Sequence, residues 1–254
     1  MKLLKYFLQF FFICFLLIIF KIVGLKLSRI IAGNLFSTFG PLFRSKKIIE
    51  QNISFAFSNA DQEFKNIIKN KMWKSYGKIL AEYVFIKHFR EINSEKFLEI
   101  KGQEILEKIK TSNDPVVFIS GHFDNFELMA MHIEKSGVDL AAIYRPLNNN
   151  FLNPLMENIR KKYICQKQIK KGVSGTKEIL KHFKSGTSVA LMIDQRVTQG
   201  IKSLLFGSEA FTTTIPAQFV KKFNCKIVPI YIERKNNDYF RLEIMEPMIF
   251  DNNQ

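Results

Sequence analysis

The sequence predicts an α/β fold, with a mixed, mostly parallel central sheet flanked by helices and an N-terminal membrane helix. Short apolar segments rich in β-formers alternate with helical patterns from about residue 95 onward, which is typical of parallel strands with helices on both faces. A nearly unbroken apolar run stands at the start of the chain. We therefore expect a membrane anchor over residues 1–25, a membrane-proximal helical segment over residues 26–60 and an α/β domain over residues 61–254.

The N-terminal run predicts an uncleaved anchor. Residues 7–20 read FLQFFFICFLLIIF, with Gln9 as the only polar residue, and with their apolar neighbours they approach the ~20 residues that cross a bilayer. A cleavable signal peptide would show small residues after this run, whereas basic residues follow from Lys21 onward. Because more basic residues follow the run than precede it, the positive-inside rule places the main domain in the cytoplasm.

Two helical patterns follow the anchor. Apolar residues recur at helical spacing over residues 27–58, and Gly40-Pro41 interrupts them. A longer pattern over residues 61–88 predicts a helix that Asp61 caps at its N-terminus.

Strands and helices alternate through the rest of the chain. Strands are predicted over residues 97–100, 116–120, 140–144, 189–193, 203–206, 227–232 and 240–244. Helices are predicted over residues 103–110, 125–136, 153–162, 175–184 and 215–223. Active sites of such sheets lie beyond the carboxyl ends of the strands, so residues that directly follow strands are the first candidates for chemistry.

Composition narrows the classes of partner. The 254 residues include 38 basic and 23 acidic side chains, and the net charge of +15 attracts polyanions. The anchor favours an anionic membrane surface, and no arginine cluster with stacked aromatic residues resembles a nucleic-acid module. Three widely spaced cysteines, Cys14, Cys165 and Cys225, argue against a disulfide framework. We expect neither a metal nor a cofactor.

One segment carries the residue types for acid–base chemistry. Residues 121–127 read GHFDNFE, so that His122 follows a predicted strand and Glu127 falls in the first turns of the next helix. A neutral imidazole takes a proton from a hydroxyl, while a carboxylate on its other nitrogen fixes the tautomer and stabilises the imidazolium. Gly121 is expected to supply backbone freedom for the turn. Asp124, a rival carboxylate, is expected to cap the helix.

The spacing of His122 and Glu127 is weak evidence by itself. Two residue types at a fixed spacing recur by chance, and a turn histidine beside an exposed glutamate is then the simpler interpretation. No serine or cysteine stands beside His122 in an elbow motif. The pattern therefore favours direct attack by an acceptor hydroxyl over a covalent acyl-enzyme.

The surroundings of this pair strengthen the functional interpretation. The segment GHFDNFE resembles the G-H-x-G-N-W-E block of the bacterial lipid A acyltransferases, the lauroyl/myristoyl transfer enzymes. Further blocks resemble that family in order along most of the chain: Ile143-Tyr144-Arg145-Pro146, Asn153-Pro154 with Ile159-Arg160, Ile193-Asp194-Gln195, Leu205-Phe206-Gly207 with Ala210, Thr212 and Pro216-Ala217, and Val228-Pro229 with Arg234.

The chain also departs from the family pattern. Asp124 replaces the usual glycine, Phe126 the usual tryptophan, and Arg196 follows the D-Q motif where an acidic residue is common. Members of the family normally continue for a further C-terminal segment beyond the position of Gln254. The chain is therefore expected to be a fragment or a reduced member.

The resemblance implies an acyl-carrier-protein-dependent O-acyltransferase of the cytoplasmic (inner) membrane, with its catalytic domain facing the cytoplasm. The acceptor would be a hydroxyl of a lipid A precursor, which makes lipopolysaccharide biosynthesis the expected context. His122 would be the base and Glu127 its orienting carboxylate. Substrate-binding roles are expected for a further set: Arg145, Asn125, Asp194, Gln195 and Arg160.

Three alternatives remain open on sequence. A glycerolipid acyltransferase uses a similar histidine with a carboxylate, although usually an aspartate, and another glycolipid is also a candidate acceptor. A basic membrane-bound scaffold without catalysis fits the anchor and the charge equally well. The lysine-rich stretch over residues 161–171 is either a solvated face or a contact for an acidic carrier protein.

Overall fold

The computed structural model describes residues 2–91, 97–197, 200–236 and 239–250 and divides the chain into two compact units. The first, here the sheet unit, comprises residues 1–11, 86–201 and 212–254. The second, here the helical unit, comprises residues 12–85 and 202–211.

The helical unit contains most of the N-terminal helices. Helix α1 (Lys2–Val23) begins in the sheet unit and continues here, and is followed by α2 (Leu25–Phe39), a 3-10 turn (Gly40–Phe43), α3 (Lys46–Ala56) and α4 (Gln62–Tyr83). The break at Gly40-Pro41 is confirmed as that 3-10 turn. The cap is also confirmed, since Asp61 accepts a hydrogen bond from the Phe64 N–H at 2.7 Å.

Helices α2 and α4 approach closely through a small residue and a buried ion pair. A side chain on Gly77 would meet the Ala32 carbonyl oxygen at 2.2 Å, so only glycine permits this approach. Arg29 and Glu82 pair at 2.6 Å with side chains only 2% and 0% exposed. Loss of either partner would leave a buried charge unpaired, which is costly. The pair therefore fixes how α2 packs on α4.

Among the described residues, one helix, α1, is long and apolar enough to cross a membrane. Its apolar side chains are mostly exposed, including Phe12, Phe15 and Ile18. The predicted N-terminal apolar helix is thus present as a candidate membrane span.

The sheet unit holds seven strands in the order β1-β9-β8-β2-β5-β3-β4. The strands are β1 (Leu98–Lys101), β2 (Val117–Ser120), β3 (Leu140–Tyr144), β4 (Lys167–Lys170), β5 (Ser188–Met192), β8 (Ile227–Asn236) and β9 (Tyr239–Ile244). Every neighbouring pair is parallel except β8 with β9. The predicted mixed, mostly parallel α/β class is confirmed.

Helices flank this sheet. They are α5 (Ile86–Glu91), α6 (Gln103–Ser112), α7 (Glu127–Lys135), α8 (Leu152–Tyr163), α9 (Val173–Lys184) and α10 (Ile215–Phe223). Val117 of β2 and Val189 of β5 pack with Phe183 and Phe219 of the helices in one apolar cluster. Because parallel central strands are covered on both faces, their sequences read as apolar runs, which is why β2 was predicted correctly.

Two strands were not predicted. Strand β4 reads KQIK, where only Ile169 is fully buried, so it lacks the apolar run of a central strand. Strand β7 (Ser208–Thr212) pairs with β6 (Ile201–Leu205) in a separate two-stranded ribbon. The predicted 61–88 helix is in fact two helices, since α4 ends at Tyr83 and α5 begins at Ile86.

Candidate active site

The register of two central strands brings His122 opposite Asp194. Strands β2 and β5 are parallel neighbours in which Ser120 pairs with Met192. His122 and Asp194 each lie two residues beyond this last pair. The carboxyl ends of parallel strands lie at one edge of the sheet, so the two side chains meet there.

Asp194 holds His122 through two hydrogen bonds. Its Oδ1 lies 2.8 Å from the imidazole Nδ1, and its Oδ2 accepts the His122 backbone N–H at 2.8 Å. An ionised carboxylate only accepts, so Nδ1 carries a proton, and in the neutral imidazole the lone pair is then on Nε2. The Gln195 side-chain nitrogen lies 3.3 Å from Nε2, which fits an amide N–H donated to that lone pair.

The charge of Asp194 is maintained by its partner. Burial alone would raise the pKa of this carboxyl, but the side-chain and backbone hydrogen bonds from His122 outweigh it, and the pKa is lowered. Asp194 therefore stays ionised as the acceptor of the Nδ1 proton. Its side chain is 42% exposed and that of His122 is 31% exposed, so both are reachable from solvent.

Glu127 has a different partner from the one predicted. Its Oε1 accepts hydrogen bonds from Arg160 Nε at 2.9 Å and Arg160 Nη2 at 2.7 Å. The prediction put Glu127 on the imidazole, whereas the structure puts Asp194 there. The physical reason is that Glu127 begins α7, which faces α8, while Asp194 follows the strand next to that of His122.

The residues between His122 and Glu127 have separate roles. Asp124, at a left-handed φ of 35°, accepts the Arg234 backbone N–H at 2.8 Å. The N-cap of α7 is Phe126, without a side-chain cap, so the prediction that Asp124 caps the helix is wrong. Asn125 is 1% exposed and lies beneath the turn, where its carbonyl accepts the Leu128 N–H at 3.1 Å.

Packing around the imidazole limits its rotation. The Phe126 ring contacts the His122 ring edge-on, with 4.7 Å between centroids. Gly121 lies outside the left-handed region, so its predicted backbone freedom is not what the turn uses. A side chain there would meet the Phe123 ring at 2.9 Å and crowd Asp194 Oδ2 at 3.3 Å, so glycine is needed for space.

A cavity of about 330 Å³ opens beside His122 and continues between the sheet and α7. Its inner wall is apolar: Phe118, Met129, Ala130, Ile133, Ala142, Ile164, Ala190 and Ile230. The alanines leave the space that larger side chains would fill. Polar and basic residues also line the cavity: Arg145, Arg160, Lys171 and Gln195.

The predicted site residues are therefore largely brought together. His122, Arg145, Arg160 and Gln195 line one cavity together with Glu127. Asp194 touches His122, and Asn125 lies buried in the turn below. The sequence pointed to Phe126 only as a departure from the family pattern and to Lys171 only within the lysine-rich stretch over residues 161–171, and both line the cavity.

Burial also shifts the pKa values of three groups outside the histidine turn. The sheet unit buries Cys165, which raises its pKa to about 12, and partly buries Cys225, which raises its pKa to about 11. Burial lowers the pKa of His132 to about 4, and this ring bonds Gln103 at 2.8 Å. Within the described residues, no group of three or more His, Cys, Asp or Glu side chains could hold a metal.

Comparison with known proteins identifies the family of the chain. A model of the family described as bacterial lipid A biosynthesis acyltransferase matches residues 1–254, the whole chain. A search of curated proteins returns no match. The family match spans the candidate anchor, the His122 turn and the cavity behind it. The chain therefore belongs to the bacterial lipid A biosynthesis acyltransferase family.

Proposed function

We propose that this acyltransferase moves a fatty acyl chain from an acyl carrier protein thioester to a hydroxyl of a lipid A precursor. The observation that carries the proposal is His122 at the cavity, with Nδ1 on Asp194 and the Nε2 lone pair available. That arrangement is what general-base activation of a hydroxyl requires. The lipid A family supports the acceptor class.

The reaction follows from the two nitrogens of His122. Nε2 takes the proton of the acceptor hydroxyl while its oxygen attacks the thioester carbonyl, and Gln195 gives way to the substrate. Asp194 stabilises the imidazolium that forms, as the carboxylate does in hydrolase triads. The tetrahedral intermediate then expels the thiolate of the carrier, which receives the proton back from Nε2.

Glu127 contributes through Arg160. Its carboxylate accepts two hydrogen bonds from the guanidinium, and both side chains are largely buried. Such bidentate or forked contacts fix an arginine in place. Glu127 therefore positions Arg160 at the cavity, where it faces the substrate.

The cavity suits the two substrates. Its apolar wall accepts the acyl chain, because burying methylenes is favourable by ~0.8 kcal/mol each. Arg145 is exposed and lines the same cavity, so it binds acceptor phosphate or stabilises the developing oxyanion. Asn125 supports the turn from below, and Asp194 and Gln195 contact the histidine where the hydroxyl must arrive.

Basic residues of the chain are the proposed contacts for the acyl donor and for the membrane. Lys171 lines the cavity, in the lysine-rich stretch over residues 161–171. An acidic carrier protein is the expected partner for this face, and electrostatic complementarity would speed its association. Helix α1 anchors the chain in the cytoplasmic (inner) membrane with the catalytic domain on the cytoplasmic side, in line with the basic residues after the apolar run.

The test is replacement of His122 by alanine, assayed with acyl carrier protein donor and lipid A precursor. Loss of the general base should lower kcat by about 10²- to 10⁴-fold. His182→Ala, at a second histidine on α9, is the matched control and should keep the parent rate. Mass spectrometry of the product should find one added acyl group.

Two outcomes would count against this function. Near-parent transfer by His122→Ala would remove the proposed base and favour a non-catalytic scaffold. Faster transfer to lysophosphatidate than to the lipid A precursor would favour a glycerolipid enzyme that keeps the same chemistry.

A further inference from the structure

The ribbon of β6 and β7 carries large apolar side chains on its surface. All five residues of β6 are exposed, including Ile201, Leu204 and Leu205. Leu204 is 74% exposed and Phe206, in the turn, is 66% exposed. A cluster of this kind on a chain in water marks a surface that contacts something apolar.

None of the ten strand residues of the ribbon is fully buried. The ribbon forms a two-stranded sheet separate from the seven-stranded one. An isolated two-stranded hairpin is marginally stable at best in water. An apolar environment around the ribbon would bury these side chains and stabilise its backbone hydrogen bonds.

The turn has an unusual residue at its tip. Phe206 and Gly207 connect the two strands with φ of 50° and 75°. Positive φ at both residues of a two-residue hairpin loop is the type I′ geometry, which prefers Asn-Gly. A phenylalanine in the left-handed region is strained. The chain thus carries a large apolar side chain at the tip despite this backbone cost.

Charge is graded along the ribbon. Residues 203–208, which form the tip, read SLLFGS and carry no charge. Lys202 and Glu209 pair across the strands at 2.7 Å, behind the tip. An uncharged apolar tip with a charged pair behind it matches the change from acyl chains to headgroups at a membrane surface.

We infer that the tip of this ribbon, residues 203–208, inserts into the acyl boundary of the lipid bilayer as a second membrane contact besides α1. The bilayer is favoured as the occupant because the ribbon belongs to the helical unit, which also contains residues 12–23 of the candidate span. The inference rests on the membrane association in the proposed function and is independent of the roles of His122, Asp194 and Glu127.

The experiment measures the membrane depth of a tryptophan placed in the tip. Phe206→Trp and, separately, Leu204→Trp are made in the full chain, which contains Trp73 as its only tryptophan. Each keeps a large apolar side chain at its position. The proteins are reconstituted in vesicles of phosphatidylethanolamine and phosphatidylglycerol, with and without brominated acyl chains, and the signal of the parent is subtracted.

Two reference variants calibrate the signal. Phe12→Trp lies on the exposed face of α1 and reports membrane insertion of the anchor. Ser185→Trp lies at the exposed C-cap of α9 in the sheet unit and reports an aqueous position. We expect blue-shifted, bromine-quenched emission from Phe206→Trp and Leu204→Trp, as from Phe12→Trp, and neither effect from Ser185→Trp.

Bromine quenching of the separate variants distinguishes a tip that stays outside the bilayer from an anchor that does not insert. Quenching of Phe12→Trp with unquenched Phe206→Trp and Leu204→Trp would overturn the tip insertion and leave the anchor intact. Absence of quenching in all four would remove the membrane association itself, and the inference with it. A blue shift that depends on protein concentration and not on bromine would mean that a second copy of the chain covers the tip, which also overturns it.

Discussion

Asp194 and Glu127 both lie near His122, yet their contacts differ in kind. Asp194 contacts the imidazole and its backbone N–H, while Glu127 accepts two hydrogen bonds from Arg160. Asp194 is 42% exposed, whereas the Glu127 side chain is 8% exposed. The first contact selects the tautomer of the imidazole, and the second forms a largely buried ion pair.

The Asp194→Asn variant should lose activity without losing stability. An amide in this place no longer selects the Nδ1–H tautomer or stabilises the imidazolium, so kcat should fall on the order of 10³-fold. Because the pair is partly exposed, the free energy of unfolding should change by less than about 1 kcal/mol. Steady-state acyl transfer and thermal unfolding of the same sample measure both.

Glu127→Gln serves as the contrast to this variant. It leaves the largely buried Arg160 guanidinium with a neutral partner, so the free energy of unfolding should fall by about 3 kcal/mol. The idea that Asp194 alone orients His122 would be contradicted if Asp194→Asn kept the parent kcat while a folded Glu127→Gln lost it.

At the scale of elements, the cavity is the space between the sheet and α7. Ala142 of β3 pairs in register with Ala190 of β5, and both line the cavity. Ala130 of α7 lines it as well. Protein interiors are otherwise closely packed, so small residues on facing elements are what keep this space open.

Filling the cavity should shorten the acyl chain that is transferred. Ala142→Leu places extra carbons in the apolar wall, and each donor methylene that loses its burial costs ~0.8 kcal/mol, or about fourfold in kcat/KM. Competition between acyl donors of different length, with product analysis by mass spectrometry, measures the preference.

Two further variants accompany that measurement. Ala130→Leu narrows the cavity from the helix side, so its result stands even if Ala142→Leu folds poorly from overpacking. Ala142→Gly enlarges the space and should shift the preference toward longer chains. An unchanged preference in a folded Ala130→Leu would place the acyl chain outside this cavity.

At the scale of the whole molecule, the chain combines an apolar helix with a large positive charge. Helix α1 has a mean hydropathy of 2.5 over its best window, and the chain carries a net charge of +15. Burial of apolar side chains resists salt, whereas attraction to anionic lipid weakens beyond about 10 Å at 0.1 M ionic strength. The two contributions are therefore separable by extraction.

The full chain should stay in bacterial membranes through both high salt and alkaline carbonate. Phe12 and Phe15 are exposed on α1, and a lysine at each position should cost about 3 kcal/mol in the bilayer. The Phe12→Lys/Phe15→Lys variant should therefore be released by high salt. Sedimentation and immunoblotting measure it, and release of the parent by carbonate alone would show that α1 does not span the membrane.

Local pattern was sufficient for most elements of this protein. The apolar run of α1, the cap at Asp61, the break at Gly40-Pro41 and the buried strand β2 all follow from residue types at short range. The histidine was located in the same way, directly after a strand. Each signal reports burial or backbone preference, which neighbouring residues determine.

The partner of that histidine was decided only by the tertiary structure. Asp194 is 72 residues from His122, and the two meet because β5 lies beside β2 with Ser120 and Met192 in register. A strand's own sequence reports that it is buried but not which strand lies beside it. Strand order and register are non-local, so the sequence determined which residues could do chemistry, and the fold determined which of them touch.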